Sequence, residues 1–275
     1  MIVAIVATPL LPVVSAALLA LETIRRGPLQ GLVSAAFGVA GLSLLAALSR
    51  TGVVTFALIG VASMGAGVAV GALIRWAGNL VFAFQAVWLV CFVLVAVLGL
   101  VGPDPAVVFA PVLKEFEAMV QAPPGSEADV AELTARLAAM LPAVTLFSSL
   151  VGALLLSYWW WSVASGQKQF GAEFRRLKLG RWLGSVATLV VLLALVFGAP
   201  VVQNLLPMAL FGFMFQGLAV MHAWAHAKQW HPALLGLVYV LLVVPPLTVA
   251  VMVPLGVIGM VDTWLDLRKP VRSAA

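Results

Sequence analysis

The chain has 275 residues, of which 64% are hydrophobic and 9% charged, with 15 basic against 10 acidic side chains and a net charge of +5. A soluble globular domain carries about 25% charged residues. A mean hydropathy of +1.15 implies more apolar surface than a water-soluble fold hides, so the solvent is lipid. An isoelectric point of 9.9 would suit a nucleic-acid partner, but the bases lie in short loops between apolar runs. That is the positive-inside pattern, and it leaves no nucleic-acid reading.

Eight apolar segments are expected, near 2–21, 29–48, 53–74, 79–101, 141–164, 183–199, 204–227 and 234–261. Each is close to the roughly 20 residues that cross about 30 Å of hydrocarbon as an α-helix. The runs are too long and too uniformly apolar for the period-2 strands of a membrane barrel. The predicted fold is an all-α polytopic transmembrane bundle of seven or eight membrane segments. It forms one integral membrane domain over 1–275, seated in a bacterial inner membrane.

The first segment contains Pro9 and Pro12, either of which bends a helix or leaves it short of a full crossing. No basic residue precedes it, so it reads as a retained helix and not as a cleaved signal. Glu22 to Pro28 closes it with a basic turn. Ser63, Gly67 and Gly71 then form a small-residue stripe on one face of the third segment, as Ser34 and Gly38 do on the second. Small residues let backbones approach closely, either within the bundle or along a dimer seam. The single cysteine, Cys91, sits mid-segment, where no intrachain disulfide is possible and lipid disfavours a thiolate.

Residues 102–140 break the apolar pattern with six acidic and two basic side chains, a net −4. Phe109, Val112, Leu113, Phe116, Met119 and Val120 make one amphipathic helix. A turn at Ala122-Pro123-Pro124-Gly125 leads to a second, capped by Ser126 and lined by Val130, Leu133, Leu137 and Met140. The pair is expected as a helical hairpin on the outer face. Residues 165–182 are the opposite case, with five bases and Glu173, a net +4. This contrast puts the acidic side out and the basic side in. Eight full crossings would then leave Arg268, Lys269 and Arg272 outside, against the same rule. One of the proline-interrupted segments, the first or 234–261 with Pro245-Pro246 and Pro254, therefore falls short of crossing, or the tail is an exception.

Few residues point to chemistry. There is no phosphate-binding loop, no His-Glu-x-x-His and no paired-cysteine zinc pattern. No carboxylate lies deep within an apolar run, so an enzyme is not expected and no cofactor is called for. His222 and His226 share a helical face, with His231 beyond, but lack a third ligand nearby in sequence. They read as interfacial groups. Tyr158 to Trp161 read as a belt anchor at the interface, with stacking on a planar ligand as the alternative. The amides Gln85, Gln203, Asn204 and Gln216, with Asn79, need partners in lipid. They serve either as interhelical hydrogen bonds or as the polar lining of a ligand cavity, and the first four are the candidate ligand-binding residues. Arg175, Arg176, Lys178, Arg181, Asp262, Asp266 and Arg268 are the candidate docking residues for lipid or a membrane-protein partner. A helical Asp262 reaches the basic residues beside Asp266, or the basic loop if both lie on one side.

Three sequence stretches carry a resemblance: Glu173 to Leu183, EFRRLKLGRWL; Phe215 to His222, FQGLAVMH; and Gly259 to Lys269, GMVDTWLDLRK. Together they resemble the YybS-like family of uncharacterised bacterial multi-pass membrane proteins. Gly180 stands where the family pattern leads one to expect proline. That family is distantly similar to the substrate-binding components of energy-coupling-factor vitamin transporters and to the cell-shape protein MreD. The resemblance implies a fold and carries no established activity; the two roles expected for the chain are a small-molecule binding or transport component, or a non-enzymatic scaffold. In the transporter group an Ala-x-x-x-Ala stripe docks on a transmembrane partner, and Ala16 and Ala20 have that spacing here.

Overall fold

The computed structural model describes residues 10–50, 52–120, 127–197 and 199–269. Pro9, the turn at 122–125, the Ser126 cap and Arg272 lie outside them. Twelve helices and no strand occur among the described residues, so the protein is an all-α helical membrane protein. They are α1 (Leu10–Arg26), α2 (Pro28–Leu48), α3 (Val53–Ala77), α4 (Leu80–Val101), α5 (Pro105–Val108), α6 (Ala110–Val120), α7 (Glu127–Ala164), α8 (Phe170–Arg175), α9 (Gly180–Val196), α10 (Pro200–Ala227), α11 (Pro232–Val243) and α12 (Pro245–Leu265). Five of the twelve are long and apolar enough to span a bilayer: α2, α3, α4, α7 and α10.

Three expected boundaries are corrected. The second arm of the acidic hairpin is not a separate helix. It is the start of α7, which runs unbroken for 38 residues through Pro142. At 1.5 Å per residue that is about 57 Å, well beyond the ~30 Å hydrocarbon core. A proline inside a helix costs one hydrogen bond, and the turns on either side of Pro142 still hold. The segment 234–261 is two helices, broken at Val244, whose extended backbone (φ −82°, ψ 109°) precedes Pro245. Helix α11 has only 12 residues, about 18 Å, too short to cross. The third correction is to the count of eight near-equal spans. Helices α9, α11 and the apolar stretch of α12 are shorter apolar helices beside the five long ones.

The backbone groups into two compact units, Met1–Val87 with Phe147–Leu177, and Trp88–Leu146 with Lys178–Ala275. In the first, α1 and α3 pack closely because Gly67 and Gly71 present no side chain. A Cβ at Gly67 would strike the Ala16 carbonyl, and one at Gly71 the Ala20 carbonyl. Ala16 and Ala20 are buried there, so the Ala-x-x-x-Ala stripe is occupied within the chain. Arg75 donates to the Ile24 carbonyl at 3.0 Å and closes the end of α1. Gly78, in the left-handed region at φ 69°, ends α3.

In the second unit, Leu179 N–H meets Gln216 and Ala194 meets Gln203, so α9 runs against α10. Trp88 meets Met208 and Gly99 meets Asn204, so α4 does likewise. Between α10 and α12 the paired residues rise together: Leu210 with Gly256, Phe213 with Gly259, Gln216 with Asp262, Trp224 with Leu267. These two helices therefore run in the same direction. The Trp224 Nε1–H donates to the Leu267 carbonyl at 3.1 Å. The chain between them, α11 included, therefore runs back from the end of α10 to the start of α12, and α10 and α12 finish at one end of the unit. The basic Lys178 and Arg181 lie at that same end, through Leu179 and Gln216. The tail as far as Lys269 is therefore on the side of the basic loop, and the conflict raised by eight full crossings disappears.

Candidate functional site

The second unit contains two polar features, one at each end. At the basic end, Gln216 is fully enclosed by its partners. Its Oε1 accepts from Leu179 N–H at 2.9 Å, and its Nε2 donates to Asp262 Oδ2 at 2.8 Å and Thr263 Oγ1 at 3.1 Å. Asp262 in turn pairs with Arg268, whose Nη2 lies 2.5 Å from Oδ2 and Nε 3.3 Å from Oδ1. Asp266 makes this possible. It ends α12 in the left-handed conformation (φ 43°) and turns the chain so that Arg268 folds back over the helix end. Buried charges persist only when paired and hydrogen-bonded, and these are.

The three resemblance stretches therefore meet, from Leu179 through Gln216 to Asp262 and Arg268. They do so by a backbone N–H and an amide, not by the loop's charges. This places Asp262 and Arg268 in the interior and not on a docking face, and Gln216 in an interhelical bond and not in a cavity lining. Lys178, Arg181 and Asp266 remain exposed.

At the opposite end lie two adjoining cavities. One, of about 250 Å³, is bordered by the end of α4, by α5 and Phe109, and by α7 and α10. Leu98, Val108, Phe109, Pro142 and Leu146 make its lining mostly apolar. Its polar side chains are Asn204 and Thr145, and the Thr145 hydroxyl is engaged with the Leu141 carbonyl at 2.7 Å. Asn204 lies over Gly99, whose missing side chain admits the amide. Asp104 Oδ1 accepts from Ala106 N–H at 2.9 Å and, with Pro105 in the first turn, starts the short helix that covers the cavity. The second cavity, about 700 Å³, is lined by Glu132, Arg136, Gln203 and Pro207 among others. Ala139 lines both. Gln203 donates to the Ala194 carbonyl at 3.1 Å, which fixes its position at the rim.

The predicted amides thus divide. Gln203 and Asn204, neighbours on the first turn of α10, each line a cavity, and Gln216 does not. Gln85 is half-buried in the first unit. The acidic stretch contributes as well: Glu132 and Arg136 line the larger cavity beside Gln203, a place that depends on their helix being continuous with the long α7.

In the first unit the basic loop is held by packing. Phe170 and Phe174 stack at 5.8 Å, Tyr158 lies 6.4 Å from Phe170 and 5.4 Å from Trp161. Tyr158 is buried, a packing residue more than a belt anchor. Glu173, the acidic residue of that loop, accepts from Leu80 N–H at 3.3 Å and so caps α4. Arg176 lies 3.8 Å from the same carboxylate; Arg175 is half-buried. In the second unit His222 bridges the Leu218 carbonyl (2.9 Å) and the Tyr239 hydroxyl (3.1 Å), and His231 Nδ1 caps α11.

No protein-family model matches the chain, and no match is found among curated proteins or solved structures.

Proposed function

We propose that this integral membrane protein is a substrate-binding component for transport of a small molecule, seated in the cavities between α4, α5, α7 and α10. The observation that carries the reading is the 250 Å³ cavity itself: an apolar chamber with the Asn204 amide in its wall, covered by a short capped helix. Small-molecule sites combine a largely apolar lining with a few placed polar groups. The positive-inside rule puts Lys178, Arg181 and Lys228 in the cytoplasm and the cavities toward the outer side of a bacterial inner membrane. The chain carries no nucleotide-binding motif, so energy for transport comes from a separate partner. The test is native mass spectrometry of protein purified in mild detergent, beside the cavity-filling variant Val108→Trp. A small molecule retained by the wild type and lost in the variant supports the reading. Equal absence from both overturns it.

A scaffold role is the second reading. It is favoured by the exposed Lys178 and Arg181 next to Trp182, which is 89% exposed, on a turn anchored by Leu179. Charge reversal at Lys178 and Arg181 then abolishes recovery of a membrane partner. Unchanged recovery with correct insertion rules it out.

A further inference from the structure

We infer that the ligand is an amphiphile, a single apolar chain with a compact charged head, lying along α7; this rests on the binding role proposed above and specifies its substrate class. The two cavities occupy neighbouring stripes of α7. Glu132 and Arg136 line the larger one, Pro142, Thr145 and Leu146 the smaller, and Ala139 both. At 100° per residue the two sets lie on adjoining flanks of the helix. Fourteen residues separate Glu132 from Leu146, so the two cavities, taken end to end as one trough, extend about 21 Å along α7. That is too long for a single-ring compound and suits an extended chain.

Polarity is graded along the trough. The charged end is the part of α7 that outruns the hydrocarbon core, where Glu132 and Arg136 form an exposed i,i+4 ion pair. Such a pair offers a carboxylate and a guanidinium side by side, complementary to a head bearing both signs. The junction carries the two amides, Gln203 at the rim and Asn204 over Gly99. An amide at that depth suits an ester or hydroxyl where head meets chain. Beyond it the wall is apolar, since the Thr145 hydroxyl bonds to its own helix. A planar polar vitamin would leave its donors unmet in this inner section, at a desolvation penalty. A fully apolar molecule would make no use of the charged mouth.

The experiment uses the full chain in amphipol with two probes, a 12-carbon lysophosphatidylcholine and the apolar dye Nile red. Lysophosphatidylcholine is expected to bind one to one and to displace Nile red. Glu132→Gln with Arg136→Gln weakens it about tenfold, the range of a charge-assisted hydrogen bond, and leaves Nile red unchanged. Val108→Trp removes both. Both head-group substitutions are at exposed positions, and circular dichroism checks the fold of each variant. Nile red binding without lysophosphatidylcholine binding, or an affinity indifferent to Glu132 and Arg136, overturns the amphiphile and leaves the cavity reading standing. Failure of both probes overturns the two together.

Discussion

Asp262 and Arg268 form an ion pair that is almost completely out of solvent, 4% and 2% exposed, six residues apart around a left-handed turn. The pair is the last link in a chain of hydrogen bonds that starts at Leu179. Removing Arg268 leaves a carboxylate buried without its counter-charge. Arg268→Leu is expected to cost about 3–5 kcal/mol, and the double variant Asp262→Leu/Arg268→Leu to recover much of it, since an apolar pair of similar volume is often no worse than a buried ion pair. Detergent-denaturant unfolding of the three proteins measures this. A double variant no better than the single one would show that the carboxylate's isolation is not the cause.

Gln216 holds the loop to the tail. Gln216→Leu leaves the Leu179 N–H without an acceptor and costs about 1–3 kcal/mol. Hydrogen exchange at Leu179 should accelerate in that variant while the middle of α10 stays protected. Equal protection at Leu179 in both proteins would show that another acceptor takes over.

The close approach of α1 to α3 depends on two missing side chains. Gly67→Leu and Gly71→Leu are expected to abolish the folded state, because the new atoms meet the Ala16 and Ala20 carbonyls and not a flexible side-chain end. Gly65→Ala, with open space around it, is the matched control and should stay within about 0.5 kcal/mol of the wild type. Size-exclusion profiles and thermal unfolding separate the two cases. A well-folded Gly67→Leu would mean that the helices pack otherwise.

Because Trp224 bonds to Leu267, the end of α10 and the end of α12 share one side of the membrane. In a Cys91→Ser background, Gln229→Cys and Lys269→Cys should react with an impermeant maleimide from the same face, the cytoplasmic one by the charge rule. Labelling from opposite faces would be incompatible with the Trp224–Leu267 bond and with α10 and α12 running in the same direction.

Much of the fold was legible in the residues. Lipid as solvent, helix as the only form, and the small-residue stripe at Gly67 and Gly71 all follow from composition and spacing. Boundaries failed where local and tertiary signals compete. Residues 127–140 have the charge pattern of a surface helix and the apolar run after them that of a span, and nothing local says that one helix holds both. At Val244 the reverse happened: apolarity runs on across Pro245, while the backbone is extended before the Pro245-Pro246 pair. Of the amides, Gln203 and Asn204 carried two open readings, interhelical bond or cavity lining; Gln203 bonds to the Ala194 carbonyl, and each borders a cavity. Gln216 looked the same in sequence and is a structural bond.

The basic loop and the basic tail are where the two sources of information divide. Charge by itself predicts that residues 165–182 lie on one side and 102–140 on the other, because the penalty for moving charge through hydrocarbon is set by residue type and not by fold. Whether the tail joins the loop depended on how far α11 travels and on where α12 finishes. Those are decided by a chain break at Val244 and by hydrogen bonds from Trp224 to Leu267 and from Leu179 through Gln216 to Asp262, between residues as much as 46 positions apart. Such bonds form only when the helices are already packed, so only the tertiary structure contains them.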